Sequence, residues 1–285
     1  MIVITGATGA LNGATVEHLF KLVPADQIGV SVRDPAKARH FAERGVRVRR
    51  GSYEDPEALR DSFEGAEQVL LVSSSDPAAD GVSLHRVGVE TAVAAGARRI
   101  LYTSHQHTGP GSPFFPARDH AATEALLADS GVAWTSLRNG FYAHSLGWLT
   151  GPWRETGVIA TPADGPVSWT DRADEAEAAA VILAGPREFD GPVTLTARSA
   201  VSFSAVAAIA SELTGRDISR TVLGDEEWVA AQAAQGTPEP MARFLLGFYQ
   251  AARAGNFAGT DPLLGELLGR EPATVRDLLT EQLAA

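Results

Sequence analysis

Two glycines three residues apart stand near the start of the chain, at the end of a short apolar run. The chain begins MIVITGATGALNGATVEHLF, so Gly6 and Gly9 lie between the run at 2–5 and a helical pattern. The first glycine permits a tight turn, and the second lets the backbone approach a phosphate closely. A helix that begins directly afterwards points its free N–H groups and positive dipole end at that phosphate. The spacing predicts a dinucleotide-binding joint, and an ordinary glycine-rich turn is the alternative.

The end of the second predicted strand bears on which dinucleotide is bound. An acidic residue there typically holds the ribose 2′-hydroxyl of NAD, whereas an arginine accommodates the 2′-phosphate of NADP. The sequence SVRDPAKARH places Arg33 at the strand end, with Lys37 shortly after it. Asp34 is better explained as the N-cap of a helix that starts at Pro35. The pattern favours NADPH over NADH, and the alternative is that Arg33 and Lys37 are only solvated.

Short apolar runs alternate with helical patterns over the first half of the chain. The runs that predict strands lie at 2–5, 27–33, 45–50, 67–74, 98–104 and 132–138. This alternation indicates a parallel sheet covered by helices on both faces. Beyond residue 140 the pattern is interrupted by Gly, Pro and Trp and then becomes mainly helical. We expect an α/β fold: a Rossmann-like doubly wound parallel sheet over 1–140, and a smaller, mainly helical lobe over 141–285 that does not fold independently.

Charge and cysteine content exclude several classes of function. The 285 residues include 24 Lys and Arg against 35 Asp and Glu, a net charge of -11, which disfavours nucleic-acid binding. No cysteine is present, so disulfides, thiolate catalysis and cysteine-ligated zinc are excluded. No apolar run reaches the length of a membrane span, and the chain opens on a predicted strand. We therefore expect a cytoplasmic protein that binds neither nucleic acid nor membrane.

Six stretches occur in an order and spacing that resemble one family. They read TGATGALNG, VRDPAKA, GSYEDPEAL, VLLVSSSDP, ARRILYTS and TEALLADSGVAWTSLRNGFY. The chain resembles the NmrA-like family of atypical short-chain dehydrogenase/reductases, and within it the bacterial NADPH-dependent quinone oxidoreductase 2 type. The resemblance covers essentially the whole chain, including the tail LLGREPATVRDLL. It implies a Rossmann domain, NADPH binding and a small C-terminal lobe that forms a cleft.

The resemblance also implies which residues contact the cofactor. The phosphates would be lined by the glycine loop and the first helical residues: Gly6, Thr8, Gly9, Ala10 and Leu11. Arg33 would bind the 2′-phosphate. The riboses and the nicotinamide would lie beside the ends of the fourth and fifth strands: Ser73, Ser74 and Ser75, then Tyr102, Thr103 and Ser104. The cleft wall would come from Arg138, Asn139, Gly140, Phe141 and Tyr142.

Three positions depart from the family pattern. Asn12 stands where the family usually has a third glycine, and Gly13 follows one place later. A side chain there would crowd the helix–strand contact or the pyrophosphate. Gly13 would partly compensate by letting the backbone shift, and Asn12 can donate a hydrogen bond, so cofactor binding would survive with altered geometry. Ser52 stands where the family often has an aspartate that contacts adenine. The stretch AHSLGW at 143–148 replaces a Glu-Asn pair, which predicts a changed substrate pocket.

The residues that would carry the chemistry are few. Typical short-chain reductases use a tyrosine and a lysine on one helix, but the corresponding stretch FPARDHAATE has no tyrosine and places His120 about where the lysine would be. His120 is the candidate proton donor or ribose contact, and a surface histidine is the alternative. Tyr142 and Asn139 could hydrogen-bond a substrate carbonyl, and structural packing is the alternative for both.

For other histidines and aromatic residues, an ordinary structural role is an alternative to a functional one. His105 and His107 alternate after the fifth strand, but no third ligand can be placed, so we predict no metal site. The stretch 110–117 reads as a mobile loop whose Phe114 and Phe115 either face substrate or anchor the loop. Tryptophans near the predicted lobe junction suit a flat aromatic ligand or core packing: Trp148, Trp153 and Trp169.

Taken together, these features predict an NADPH-dependent oxidoreductase. It would transfer a hydride to a quinone or a similar small conjugated carbonyl, with an aromatic small molecule as its partner and a monomer or homodimer as its assembly. The missing helical tyrosine leaves two alternatives. One is a nicotinamide-binding redox sensor that acts through a protein partner without turnover. The other is a degenerate fold that has lost its cofactor, suggested by Asn12 and Ser52.

Overall fold

The chain forms two compact units that are not successive in sequence. The computed structural model describes residues 1–74, 76 and 78–284. The first unit comprises Met1–His105, Asp119–Arg138 and Ala173–Val193, and the second comprises Gln106–Arg118, Asn139–Arg172 and the chain from Thr194 onward. The chain passes from the first unit to the second after Arg138, near the boundary predicted at residue 140. Two segments depart from that boundary: Gln106–Arg118 belongs to the second unit and Ala173–Val193 to the first. That the second unit does not fold independently stays a prediction.

Strands and helices alternate along the first half of the described chain. The strands are β1 (Ile2–Thr5), β2 (Ile28–Val32), β3 (Arg47–Arg50), β4 (Gln68–Leu71), β5 (Arg99–His105), β6 (Ala133–Asn139), β7 (Phe141–Tyr142), β8 (Val158–Thr161), β9 (Trp169–Thr170), β10 (Gly191–Leu195) and β11 (Ser219–Val222). The helices are α1 (Ala10–Leu19), α2 (Arg39–Ala42), α3 (Pro56–Phe63), α4 (Gly81–Ala94), α5 (Phe115–Ala128), α6 (Leu146–Leu149), α7 (Trp153–Thr156), α8 (Arg172–Ala184), α9 (Phe203–Thr214), α10 (Asp225–Ala234), α11 (Glu239–Arg253), α12 (Leu263–Leu268) and α13 (Val275–Ala284).

Seven strands form one sheet in the order β10-β6-β5-β4-β1-β2-β3. β1 pairs in parallel with both β2 and β4, so Ile2 is in register with Ile28 on one side and Gln68 on the other. The strand order reverses beside β1, and such a switch point leaves a crevice at the carboxyl ends of the strands. The predicted Rossmann-like doubly wound sheet is confirmed, and β3 lies at one edge of it.

Local sequence signals account for two of the helical starts. The Asp34 side chain accepts a hydrogen bond from the amide of Ala36 at 3.0 Å, and Pro35 follows it at the first helical position. Asp55 likewise accepts from the amide of Ala58 at 3.1 Å ahead of α3. The cap at Asp34 was expected, and Asp55 follows the same rule: the aspartate oxygen accepts from a free amide of the first turn, and the proline after it has no amide N–H that needs a partner.

The second unit has a core rich in aromatic rings. Phe114 is 9% exposed and packs with Phe141, 5.8 Å between ring centroids, and with Phe257 at 5.7 Å. The stretch predicted as a loop over 110–117 is helical from Phe115 onward, because α5 begins there. Phe114 therefore anchors this segment to the core, whereas Phe115 is 51% exposed.

The tryptophans of the second unit divide in the same way. Trp153 and Trp169 are buried in the core, as their packing interpretation predicts, and Trp148 is 51% exposed. The remainder of this unit carries helices α9 to α13 with the short strand β11, which matches the expected mainly helical character. Among the described residues, no helix combines the length and apolar character that a bilayer crossing requires.

Candidate functional site

The glycine loop between β1 and α1 has a geometry that side chains would disrupt. Gly6 has φ of +64°, and a Cβ there would lie 2.6 Å from Cγ1 of Val72. A Cβ at Gly9 would lie 3.2 Å from the carbonyl oxygen of Gly6, which is tighter than ordinary contact. Gly9 caps α1 without a side-chain hydrogen bond, so amides of the first turn remain available to a ligand. The loop can therefore receive a phosphate.

The Asn12 side chain lies in the interior, between α1 and the end of β1. Its side chain is buried, and Nδ2 donates to the carbonyl oxygen of Thr5 at 2.8 Å. The first turn of α1 is thereby tied to the end of β1. Oδ1 is also buried and accepts no hydrogen bond from the part of the chain that the structure describes. A Cβ at Gly13 would lie 2.9 Å from the Ala7 carbonyl oxygen, so the close approach of helix and loop occurs at Gly13 instead.

A cavity of about 400 Å³ opens beside this loop, within the first unit. Its described lining contains seven residues singled out from the sequence: Gly6, Thr8, Gly9, Arg33, Ser52, Ser73 and Ser74. The remaining described lining residues are Thr5, Ser31, Val32, Gly51, Tyr53, Glu54, Leu59, Val72, Asp76, Ala79 and Leu84. Residues from β1, β2 and the segments that follow β3 and β4 thus meet at the switch point, where parallel sheets of this type bind ligands.

Several residues expected at the cofactor stand outside that lining. Ala10, Leu11, Asn12, Lys37, Thr103 and Ser104 do not line the cavity among the described residues, and Ser75 lies outside the described residues. One of them, Thr103, supports the cavity wall from behind. Thr103 Oγ1 accepts a hydrogen bond from the amide of Ser73 at 2.8 Å. The Ser104 hydroxyl instead donates to Glu124 Oε1 at 2.8 Å, within the interior.

Arg33 supplies the only positive charge among the described lining residues. Its side chain is exposed, and no described residue engages its guanidinium in a hydrogen bond or ion pair. The nearby Arg50 is different, because it pairs with Asp55 at 2.9 Å. A guanidinium that is free within the protein can bind a phosphate with two parallel hydrogen bonds.

Tyr53 is a part of the cavity wall to which the sequence assigned no role. Its hydroxyl donates to the carbonyl oxygen of Val72 at 2.8 Å and lies 3.0 Å from Oγ1 of Thr5. Burial raises the pKa of Tyr53, so the phenol stays neutral. The only sequence signal was a lone tyrosine in GSYEDP after β3, and its partners lie on other strands.

His120 contacts a tyrosine from the sheet. Oη of Tyr102, on β5, lies 2.8 Å from Nδ1 of His120 on α5, and the His105 ring stacks on the His120 ring with 6.3 Å between centroids. Tyr102 is fully buried, whereas His120 is partly exposed. Withdrawal from water lowers the pKa of His120 well below its ordinary value, and the charges of His105 and His85 lower it further. Burial raises the pKa of Tyr102. Both side chains are therefore neutral near pH 7.

A partly buried ion pair joins α5 to β6. Glu124 on α5 pairs with Arg138 on β6 at 2.5 Å and also accepts from the hydroxyls of Ser104 and Ser136. Burial acts to raise the pKa of Glu124, but the hydrogen bonds from Arg138, Ser136 and Ser104 outweigh it and lower that pKa overall. Arg138, expected in a cleft wall, is thus engaged within the first unit.

The remaining candidates belong to the second unit. Asn139 is buried, and its Oδ1 accepts no hydrogen bond from any described residue. The Tyr142 ring stacks on His144 at 5.6 Å between centroids, and burial together with Arg172 lowers the pKa of His144. His107 adopts φ of +54° in a turn. Within 1–74, 76 and 78–284, no group of three or more His, Cys, Asp or Glu is placed to hold a metal ion.

Known proteins are similar to this sequence over nearly its whole length. A family model described as the NmrA-like family matches residues 1–263. The chain belongs to the NmrA-like family. This NmrA-like chain is 35% identical over 278 residues to Quinone oxidoreductase 2 of Escherichia coli (strain K12), a match that covers 97% of this chain and 96% of that protein.

Solved structures share the fold equally widely. The NADPH-dependent quinone oxidoreductase of Escherichia coli, crystallised as a complex with NADPH, matches the NmrA-like chain with a TM-score of 0.92 and 34% identity, over 99% of this chain and 100% of that one. The triphenylmethane reductase of Citrobacter sp., complexed with NADP(H), matches with a TM-score of 0.90 and 31% identity, over 99% of each chain. The resemblance expected from the sequence is confirmed.

Proposed function

We propose that this protein is an NADPH-dependent reductase that transfers a hydride to a quinone or a similar small conjugated carbonyl. The observation that carries the proposal is the glycine-loop cavity with the unengaged Arg33 guanidinium beside it. The similar proteins described above are all named as reductases or oxidoreductases, which favours turnover over a sensor that acts only through a partner. The intact loop and cavity argue against a degenerate fold.

The residues that would hold NADPH are those of the first unit. The amides of the glycine loop and the first turn of α1 would bind the pyrophosphate, because Gly6 and Gly9 leave the backbone uncovered. Arg33 would bind the 2′-phosphate, with Ser52 beside it in the cavity. Ser73 and Ser74 would line the riboses. When bound, the dihydronicotinamide supplies the hydride.

His120 is proposed to donate a hydrogen bond to the substrate oxygen that gains negative charge. Its lowered pKa keeps the imidazole neutral, so it acts as a dipolar donor rather than as a charged acid. If the hydroxyl of Tyr102 donates to Nδ1, the proton of His120 resides on Nε2 and Tyr102 fixes that tautomer. The proton that completes a hydroquinone then comes from water.

Tyr142 and Asn139 are proposed as additional substrate contacts. The phenol of Tyr142 can donate to a carbonyl oxygen, whereas the unused Oδ1 of Asn139 is an acceptor and can bond only to a substrate hydroxyl. A small aromatic molecule is the substrate class that this chemistry suits. A cytoplasmic location and a monomeric or homodimeric assembly remain predictions.

Steady-state oxidation of NADPH, followed at its near-ultraviolet absorbance with a panel of benzoquinones and naphthoquinones, tests this proposal. We expect multiple turnovers with at least one quinone and a marked preference for NADPH over NADH. Failure to oxidise NADPH with any quinone of the panel would contradict the reductase proposal. Tight NADPH binding without turnover would instead support the sensor.

A further inference from the structure

Three consecutive backbone amides after β4 are held by side chains rather than by other backbone groups. The amide of Val72 donates to Thr5 Oγ1 at 2.8 Å, and that of Ser73 donates to Thr103 Oγ1 at 2.8 Å. The amide of Ser74 donates to Nε2 of His85 at 2.7 Å. The acceptors come from β1, β5 and α4 respectively. Val72, Ser73 and Ser74 line the cavity. The three accepting side chains therefore set the position of that wall.

The hydrogen bonds of His85 determine which tautomer it adopts. Because Nε2 accepts from an amide, it carries no proton, and the proton of the neutral ring must reside on Nδ1. Nδ1 lies 2.8 Å from Oγ1 of Thr123, whose own hydrogen is donated to the Asp119 carbonyl oxygen at 2.8 Å. Thr123 is therefore an acceptor for the Nδ1–H group. The two partners agree on a single protonation state.

The surroundings of His85 hold it neutral. The side chain is 3% exposed, and the rings of Tyr102 and Tyr53 pack around it at 5.2 and 6.4 Å between centroids. Asp80, at the start of α4, is the nearby acid and favours the charged form, but burial dominates and lowers the pKa of His85 to about 4. His120 lies beyond Tyr102 and is neutral as well.

We propose that His85 is a positioning residue for cofactor binding, which holds the Ser74 amide and thereby the cavity wall formed by 72–74 through its neutral Nδ1–H tautomer. This inference rests on the proposed function, because the wall matters only where a dinucleotide occupies the cavity. A protonated His85 could not accept from Ser74, and that amide would lose its partner. His85 itself does not line the cavity among the described residues, so its effect is transmitted through the loop.

A matched pair of variants separates the two ring nitrogens. His85→Gln places an amide oxygen near the position of Nε2, where it can accept from Ser74, whereas His85→Asn reaches only about as far as Nδ1. A third variant, His85→Leu, removes both hydrogen bonds. Calorimetric titration with NADP⁺ at pH 8 gives the dissociation constant of each protein. We expect about tenfold weaker binding for the Asn and Leu variants, while the Gln variant stays within about threefold of the parent. Nitrogen-15 shifts of the His85 ring are expected to show the proton on Nδ1.

Each outcome bears on a distinct claim. Parent protein that does not bind NADP⁺ contradicts the proposed function. Parent protein that binds, with all three variants binding equally well, overturns the positioning role alone. So does weakening that is equal in the Gln and Asn variants, since it would follow from lost packing. If the Leu variant fails to fold, the Gln and Asn comparison and the ring tautomer still decide; a proton on Nε2 contradicts the inference.

Discussion

Oη of Tyr102 lies 2.8 Å from Nδ1 of His120, so a tyrosine of the sheet and a histidine of the following helix form one hydrogen-bonded pair. Typical short-chain reductases place a tyrosine and a lysine on a single helix. Here the helix provides only the histidine, and β5 provides the phenol from the interior. The pair can orient a neutral imidazole toward substrate without adding charge to the site.

Substitution at this pair is expected to lower kcat while leaving cofactor affinity unchanged. Removal of a positioned hydrogen-bond donor in His120→Phe should reduce kcat by about 10²-fold. Tyr102→Phe leaves the imidazole in place but removes the hydrogen bond that determines its tautomer, so a smaller loss of kcat, about tenfold, is expected. Steady-state kinetics with a quinone and calorimetry with NADP⁺ measure both effects. His40→Gln, at an exposed histidine of α2, is the control; unaltered kcat in both variants would contradict the role of the pair.

Loss of the unengaged guanidinium is expected to weaken binding of NADPH selectively. Arg33→Ala removes a charge-assisted contact with the 2′-phosphate, which predicts a dissociation constant raised about 10- to 100-fold for NADPH and little changed for NADH. Fluorescence titration with both cofactors measures the difference. Arg39→Ala is the matched control, because Arg39 is also exposed and its side chain has no partner among the described residues. Equal losses in the two variants would indicate a general charge effect.

Replacement of Asn12 by glycine is expected to destabilise the protein. Asn12→Gly loses the buried hydrogen bond to Thr5 and adds the entropy cost of glycine in a helix, together about 2 kcal/mol. Asn12→Ala loses only the hydrogen bond, so about half that effect is expected. Urea denaturation measures both changes. Affinity for NADPH should not rise in either variant, and tighter binding by Asn12→Gly would show that the asparagine obstructs the cofactor.

The buried neutral His85 is expected to make the protein less stable in acid. In the unfolded chain the group binds its proton near pH 6.5, but in the folded chain its pKa is about 4. The free energy of unfolding should therefore fall as the pH drops from about 6.5 to about 4, by about 3 kcal/mol in total. Denaturation of the parent and of His85→Gln at pH 7 and pH 4.5 isolates this contribution. Parallel pH dependence of the two proteins would contradict it.

Short-range signals in the sequence were sufficient for six of the seven strands of the sheet, β1 to β6, and for the glycine loop, whereas β10 joins the sheet from the part of the chain predicted as the second lobe. Each of these signals involves residues that are close together in the sequence, so the sequence alone shows it. They are the apolar runs of β1 to β6, the aspartate–proline caps at Asp34 and Asp55, and the pair Gly6 and Gly9. The position of Arg33 at the end of β2 indicated a 2′-phosphate contact, and the family resemblance then supplied Ser73 and Ser74; the structure brings all three to one cavity.

The remaining assignments depended on partners that are distant in sequence and meet only in the folded chain. Thr103 and Ser104 were expected at the cofactor, but β5 directs the first against Ser73 and the second into the Glu124 cluster. His85 and Tyr53 carried no signal, because their partners lie on other strands and helices. Asn12 could be judged only once its amide was seen to face Thr5. A hydrogen bond within a short segment leaves a sequence pattern, whereas one between packed elements depends on how the chain folds back on itself.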